Sequence, residues 1–168
     1  MKTLIKIVAV FAVIACVVSL FAACNSGEEE DVDSDGIFCV TYKNAKMELG
    51  KSAAGLIDSL GTPKSVNSAP SCGPAGEVKQ YEYVGITINI LTDDKNNSIV
   101  DQIVFTDDSV STSNGICIGD SAEKVVNAHG TPTKKTNDEI EYESGSCLLR
   151  FQLNENGEVK KITYFHST

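Results

Sequence analysis

From residue 78 onward, apolar and polar residues alternate in short runs, which is the pattern of β-strands with one buried face. These runs predict six strands, at residues 78–83, 86–91, 99–105, 140–142, 147–153 and 159–165. Two polar tetrapeptides, at residues 94–97 and 154–157, separate neighbouring runs and predict hairpin turns. Residues 38–42 predict an additional edge strand. These strands are expected to form antiparallel sheet.

A short segment occurs twice, at an offset of 69 residues. Residues 50–63 align with residues 119–132, and six of the 14 positions are identical. Each copy begins with Gly-x-Ser, contains an apolar pair and ends in Gly-Thr-Pro. Ser52 and Ser121 are suited to cap a first helical turn, and the second glycine is suited to end the helix before a proline that cannot continue it. Each copy predicts one short helix.

The correspondence resumes downstream at an offset of 59, so the first copy holds about ten extra residues. These fall in residues 65–76, which have the composition of a loop. The globular part, residues 37–168, thus divides into two units, about 37–106 and about 115–168. We expect an α+β fold of two tandem helix plus antiparallel β-meander units, with the helices packed on one face of the sheet.

The repeated pattern resembles a known family. Gly-x-Ser, an apolar pair and Gly-Thr-Pro, followed by a strand meander ending in Val-x-x-Ile, is similar to the beta-lactamase-inhibitor-protein-like fold shared with SmpA/OmlA-type small lipoproteins. It also resembles lipoproteins of gut Firmicutes that hold two such units. The resemblance covers roughly residues 47–165 and implies protein binding, either as an enzyme inhibitor or in envelope assembly. It transfers no inhibitory residue to this chain.

The N-terminal segment has the pattern of an export signal. Two lysines precede an uncharged apolar stretch over residues 7–24, which closes on Ala-Ala-Cys. This ending resembles the bacterial lipobox, which predicts a signal peptide at residues 1–23 and a lipid-bearing Cys24. With two or more acyl chains, Cys24 would anchor the protein stably at the extracytoplasmic side of the cell membrane. Residues 25–36, which are rich in acids, then form a flexible tether.

Two other interpretations of this segment stay open. Its 18 uncharged residues are just long enough to span a bilayer as a helix. A plain secretory signal, cleaved nearby, would remove Cys24 or leave it as a thiol. Cys16 closes a second and weaker lipobox match, but cleavage there would leave an apolar remnant on the mature chain.

Charge narrows the choice of partners. The chain has 23 acidic and 14 basic residues and a net charge of −9. Removing the signal leaves the mature chain at about −11, which disfavours nucleic acid and anionic lipid surfaces as electrostatic partners. The partners expected are membrane lipid, through Cys24, and an extracytoplasmic or membrane protein.

Four cysteines remain in the exported domain, namely Cys39, Cys72, Cys117 and Cys147. Outside the cytoplasm four cysteines first suggest two disulfides, with three possible connectivities. The preferred pairing is Cys39 with Cys72 and Cys117 with Cys147, each closing a loop worth roughly 3.5 kcal/mol on the chain-entropy model. In an anaerobe the four thiols would stay reduced.

The sequence offers little for metal binding or catalysis. Asp31, Asp33 and Asp35 copy the first half of a calcium loop, but Tyr42 stands where a bidentate glutamate is required. His129 and His166 lie near no nucleophile in sequence. We expect no cofactor, no metal and no enzymatic activity.

Three tyrosines are candidates for a binding surface. Tyr81, Tyr83 and Tyr142 would form an aromatic face if they pointed outward, whereas inward or cross-strand packing is the competing interpretation. The function expected is a membrane-anchored, non-enzymatic protein-binding module, whose surface is an exposed sheet face with the Cys72 loop. The alternative is a lipoprotein that captures a small molecule or glycan.

Overall fold

The computed structural model describes residues 39–72 and 76–166 of the 168-residue chain. The predictions for the signal segment 1–23, for Cys24 and for the acidic tether 24–36 fall outside these residues. Within the described ranges, no helix is long and apolar enough to cross a membrane.

Ten strands and two short helices make up the described structure. The strands are β1 (Cys39–Tyr42), β2 (Ala45–Glu48), β3 (Ser65–Pro70), β4 (Gly76–Glu82), β5 (Ile86–Asp93), β6 (Ser98–Phe105), β7 (Lys134–Lys135), β8 (Glu139–Ser144), β9 (Cys147–Leu153) and β10 (Val159–His166). The helices are α1 (Leu56–Leu60) and α2 (Ala122–His129). Eight strands form one antiparallel sheet in the order β3-β4-β5-β6-β10-β9-β8-β7, and β1 pairs with β2 in a separate hairpin.

The six strands predicted from alternation are confirmed, with bounds within two residues, and both hairpin turns lie where they were expected. One other prediction was wrong, and one was confirmed only in part. Residues 65–70 are not loop, because they form strand β3 and pair with β4 at six positions. The strand predicted at residues 38–42 is present as β1, but it pairs with β2 and not with the edge of the large sheet.

The predicted fold class was wrong. Strands account for 50% of the structure and helices for 10%, so the protein is mostly β and no helical layer covers the sheet. Helix α1 has five residues and α2 has eight, and each buries a single side chain fully, Leu60 and Val125. Other apolar residues outside the sheet complete the core, including Val40 and Met47 of the β1-β2 hairpin, Leu49, Val110 and Ile116.

The two repeats meet at the centre of the sheet. Strands β6 and β10 end the first and second meander, and they pair antiparallel. Ile103 lies opposite Tyr164, and Phe105 lies opposite Ile162. These four residues are equivalent in pairs at the offset of 59, so the pairing has an approximate two-fold axis near Val104.

The loops that lead into the helices are bonded to the sheet in the same way in both repeats. The Gly50 N–H donates to the Val100 oxygen at 2.8 Å, and the Gly119 N–H donates to the Val159 oxygen at 2.7 Å. Both glycines have a positive φ, of 72° and 96°. The repeated motif therefore builds the same backbone junction twice.

Buried side chains run across the inner face of the sheet, the face that packs into the core. One row of directly paired residues passes through Tyr81, Ile88, Ile103, Tyr164, Leu149 and Tyr142. A second row, its two-fold equivalent, passes through Ile140, Phe151, Ile162, Phe105 and Ile86. Every member except Tyr81 is buried. The first row continues beyond Tyr81 to Val66 and the second beyond Ile140 to Lys135.

Candidate binding groove

A groove of about 440 Å³ opens beside Tyr81 on the inner face of the first repeat. Its floor is formed by Lys79 and Tyr81 of β4 and by Ile90 and Thr92 of β5. One wall is the segment around Ala53, Ala54 and Ile57, and the other is the tip of the β5-β6 hairpin. We call this feature the Tyr81 groove. Its volume lies within the range of ordinary ligand pockets.

The groove exists because helix α1 lacks its first turn. In the second repeat the Ser121 hydroxyl accepts from the Lys124 N–H at 3.2 Å, and α2 begins at the next residue, Ala122. In the first repeat the Ser52 hydroxyl accepts from the Ala54 N–H, and Gly55 takes a left-handed conformation. The helix consequently begins only at Leu56, and Ser52 does not cap it as predicted. Ala54 and Gly55 stand where the second repeat has Glu123 and Lys124.

A longer hairpin supplies the other wall. Between the paired positions Ile90 and Val100 the first repeat has nine residues, whereas between Leu153 and Val159 the second has five. The Asp93 carboxylate organises the longer tip. It accepts from the backbone and side-chain nitrogens of Asn97 and from the Lys95 N–H, each at 2.8 Å.

These hydrogen bonds also favour the ionised form of Asp93. The side-chain bond from Asn97, then the backbone bonds, lower the pKa of the Asp93 carboxyl below its ordinary value. The same geometry leaves Asn96 in a left-handed conformation at φ 64°, a region that asparagine tolerates better than most residues. The Asp93 hydrogen bonds and the Asn96 backbone together define the shape of the hairpin tip beside the groove.

The side chains that line the groove are suited to binding a ligand. Among the described residues that line it, Lys79 is the only charged one, and its ammonium lies 3.5 Å from the Glu77 carboxylate. The remaining polar lining consists of hydroxyls and amides, and Thr92 and Ser98 share a hydrogen bond at 2.9 Å. Such a surface suits a ligand that hydrogen-bonds and packs against the tyrosine ring.

The other two predicted tyrosines are packing residues. Tyr83 and Tyr142 are buried, and their hydroxyls donate to the oxygens of Gly61 and Gly130, at 3.3 Å and 3.2 Å. Each tyrosine thus satisfies the carbonyl of the glycine that ends the nearby helix. Tyr81 is the member of the predicted set that reaches a groove, so the three do not form one aromatic face.

The four described cysteines form no disulfide, and the fold separates both predicted pairs. Cys39 pairs with Glu48 at the end of the β1-β2 hairpin, and Gly50, two residues further on, lies against the His166 ring of β10. Cys72 follows β3, which is four strand spacings from β10, or roughly 19 Å.

The second predicted bridge is ruled out by the same kind of distance. Cys117 lies near Val159, since the next residues of its loop bond to that position, whereas Cys147 pairs with His166. The two cysteines therefore sit at opposite ends of β10, roughly 20 Å apart. A disulfide requires Cα atoms within about 7 Å, so neither predicted bridge fits this fold.

A charged cluster on the outer face of the sheet escaped sequence reasoning. Arg150 bonds to Glu139 and Glu141 across β8 and β9, and Lys134 of β7 also pairs with both acids. Arg150 lies over the Phe165 ring at 5.0 Å. Glu139, Glu141 and Arg150 alternate with apolar residues along β8 and β9, and this alternation was the signal in the sequence that could have located the cluster. A pocket of about 340 Å³ adjoins Arg150, but the two glutamates already neutralise that cation.

Within residues 39–72 and 76–166, no group of three or more His, Cys, Asp and Glu side chains is arranged to hold a metal ion.

Comparison with known proteins shows a similarity of fold and assigns no function. The sequence matches no protein-family model and none of the curated proteins, so the resemblance to inhibitor-like lipoproteins stays a prediction. Similar solved structures include an extracellular protein containing a SCP domain from Bacillus anthracis, with a TM-score of 0.51, 10% identity and 70% of this chain covered. A cysteine-rich secretory protein from Staphylococcus aureus has a TM-score of 0.51, 13% identity and the same coverage.

This chain spans only 44% of the length of each of those two proteins. The uncharacterized protein yfeY from Escherichia coli is also similar, with a TM-score of 0.44 and 16% identity, over 71% of this chain and 93% of that one. At 10% and 13% identity the likeness to the first two proteins concerns the fold alone.

Proposed function

We propose that this protein is a non-enzymatic, protein-binding lipoprotein, anchored through Cys24 at the extracytoplasmic side of the cell membrane. The observation that carries the binding role is the Tyr81 groove, which is present in one repeat and has no counterpart of the same construction in the other. A half-buried tyrosine, flanked by amides and hydroxyls on a rigid sheet, is typical of a surface that receives a side chain of a partner.

The lipid anchor is predicted from the sequence alone, and it would place the binding module beside a membrane. Two acyl chains on Cys24 would hold the domain, and the acidic tether would keep it away from anionic headgroups.

Capture of a small molecule or glycan is the second candidate. The same groove favours it, because its volume of about 440 Å³ and its neutral hydroxyl and amide groups suit a ligand rich in hydroxyls. The two candidates differ in what the groove retains.

The test compares two variants that add the same side chain. Ala54 is exposed and lines the groove, so Ala54→Gln should obstruct it with little effect on stability. Thr62→Gln places the same amide at an exposed position outside the groove and is the matched control. The full lipidated chain, solubilised in mild detergent, is used to capture partners from membrane and medium fractions, and the retained species are measured by native mass spectrometry.

A stoichiometric protein that the unmodified chain and Thr62→Gln retain, and that Ala54→Gln loses at least tenfold, is the expected result. A small ligand retained with the same dependence, and without protein, would replace the proposal with the capture function. Equal retention by both variants would exclude the groove.

A further inference from the structure

The two edges of the eight-stranded sheet differ in how they meet solvent. Edge strand β7 has two residues, both lysines, and Lys134 is tied to Glu139 at 2.7 Å. Edge strand β3 has six residues, none of them charged, and five are exposed. Proteins usually protect sheet edges with short strands and lysines, as β7 does. Strand β3 carries neither protection along most of its length.

The side chains of β3 leave its outer backbone accessible. The Ser68 hydroxyl donates to the Glu77 carboxylate, and the Asn67 amide donates to Glu82 at 3.5 Å. Both polar side chains therefore turn toward β4. Pro70 lacks an N–H and closes the strand at its far end. The outward N–H and C=O groups before Pro70 are consequently available to another strand.

Val66, the second residue of β3, is the large apolar side chain of this edge. Its side chain is 51% exposed, one of two large hydrophobic side chains described as exposed, and it continues the row that runs through Ile88 and Tyr81. An exposed valine at the end of a buried row is a position that a further strand would cover.

We propose that β3 pairs antiparallel with β3 of a second copy of this chain, with Val66 opposite Val66 of the partner subunit. Any strand is complementary to itself about a two-fold axis. The fold already contains this geometry once, where β6 and β10 of the two repeats pair about an approximate two-fold axis. In the proposed register, the row through Tyr81 and Val66 continues into the same row of the second copy.

Charge does not oppose a second copy at this edge. The whole chain is acidic, at −9, so two copies repel over most of their surfaces. Residues 39–106 carry seven acidic and six basic side chains, and β3 itself carries none. The strand therefore lets two copies approach without opposing like charges. The contact is small, so we expect a weak dimer that anchoring to one membrane strengthens by confining both copies.

Cysteine cross-linking of the full chain in intact cells tests the register. Directly opposed residues in an antiparallel pair have Cβ atoms about 4.5–5.5 Å apart, close to disulfide geometry. Val66→Cys should therefore form a covalent dimer under mild oxidation. Ala69→Cys, on the same strand, would lie roughly 20 Å from its partner equivalent and should cross-link at least tenfold less. Val84→Cys, at the other exposed valine, is the second control, and all three retain Cys72.

A charge variant tests the same contact without covalent cross-linking. Val66→Lys opposes two cations at the axis and should weaken dimerisation at least tenfold in sedimentation experiments, whereas Val84→Lys should change it less than twofold. Equal cross-linking at positions 66 and 84, or dimers that survive Val66→Lys, would overturn the proposal. Loss of a different bound protein in Val66→Lys, with no dimer detected, would also overturn it and assign the edge to that protein. Val66 pairs with Tyr81 but does not line the Tyr81 groove, so Ala54→Gln tests the groove separately.

Discussion

The two repeats have nearly the same skeleton and different surfaces. In both, a glycine with positive φ bonds to the last strand of the meander, and a buried tyrosine donates to the carbonyl of the glycine that ends the helix. The first repeat adds a long edge strand and a groove, whereas the second adds a charged cluster around Arg150. The shared motif therefore determines how the helix joins the sheet, and residues outside it determine what each unit presents.

The largest expected effect tests whether the repeats contribute equally to the core. Ile103 and Ile162 are equivalent and fully buried, on the paired strands β6 and β10. Replacing either with alanine should lower the free energy of unfolding by about 2–5 kcal/mol. Urea denaturation should give two values within about 1 kcal/mol of each other. A clearly larger gap would show that one unit dominates the core.

The equivalent glycines Gly50 and Gly119 should respond differently to alanine. Both have positive φ, which costs a residue with a Cβ roughly 1–2 kcal/mol. A Cβ at Gly119 meets nothing within 4 Å, whereas one at Gly50 would lie 2.5 Å from the His166 ring. We expect Gly50→Ala to cost about 1–3 kcal/mol more than Gly119→Ala, measured by thermal unfolding. Equal losses would mean that the ring moves aside without cost.

Two equivalent glutamates should differ in their dependence on pH. Burial raises the pKa of Glu141, but the hydrogen bond and charge of Arg150 and the charge of Lys134 outweigh it, and the pKa falls below its ordinary value of 4.5. The equivalent Glu82 carboxylate accepts from a neutral group, the Asn67 amide, at 3.5 Å. Glu141→Gln should therefore cost about 1.5–3 kcal/mol at pH 7, and Glu82→Gln less than about 0.5 kcal/mol.

The sign of the pH effect follows from the direction of that shift. A depressed carboxyl pKa stabilises the fold above the unfolded pKa, and this contribution is lost as pH falls through the folded pKa. The cost of Glu141→Gln should shrink once pH drops below about 4.5. Denaturation curves from pH 7 to pH 3 measure it, and a cost that stays constant would contradict the ion-pair explanation.

The smallest effect concerns the two serines of the motif. Ser121 caps α2, so Ser121→Ala should cost about 1 kcal/mol. Ser52 caps no helix, so Ser52→Ala should lower the free energy of unfolding about half as much or less. Both values come from the same denaturation assay. A loss at Ser52 equal to that at Ser121 would show that its bond to Ala54 matters as much as a helix cap.

Period-two alternation located six strands, because each alternates between the core and the outer face. The glycines that end the two helices, Gly61 and Gly130, were also predicted, since Gly-Thr-Pro marks a helix end. The fold class was misjudged at the two helices, which have only five and eight residues and cannot cover the sheet. It was misjudged again at residues 65–70, whose Ser, Asn, Ala and Pro composition is that of a loop. Pairing with β4 overrides that local preference.

The candidate site was harder to predict than the fold. Tyr81, Tyr83 and Tyr142 look alike in sequence, but two of them lie under the helix ends and one lies beside the missing turn. The groove needs Ala54, Gly55 and a hairpin four residues longer than its counterpart, and no single motif contains all three. The cysteine pairing failed because sequence spacing says nothing about which strand each thiol accompanies.

The two-fold pairing of β6 with β10 has a consequence for ancestry. It is the arrangement that duplication and fusion of a gene for a small homodimer would leave behind. In a homodimer of identical units every substitution appears twice, so a groove on one unit is always a groove on both. Once joined in one chain, each unit is free to diverge alone. The groove beside Tyr81, the uncharged edge at Val66 and the Arg150 cluster each belong to one repeat, as that freedom permits.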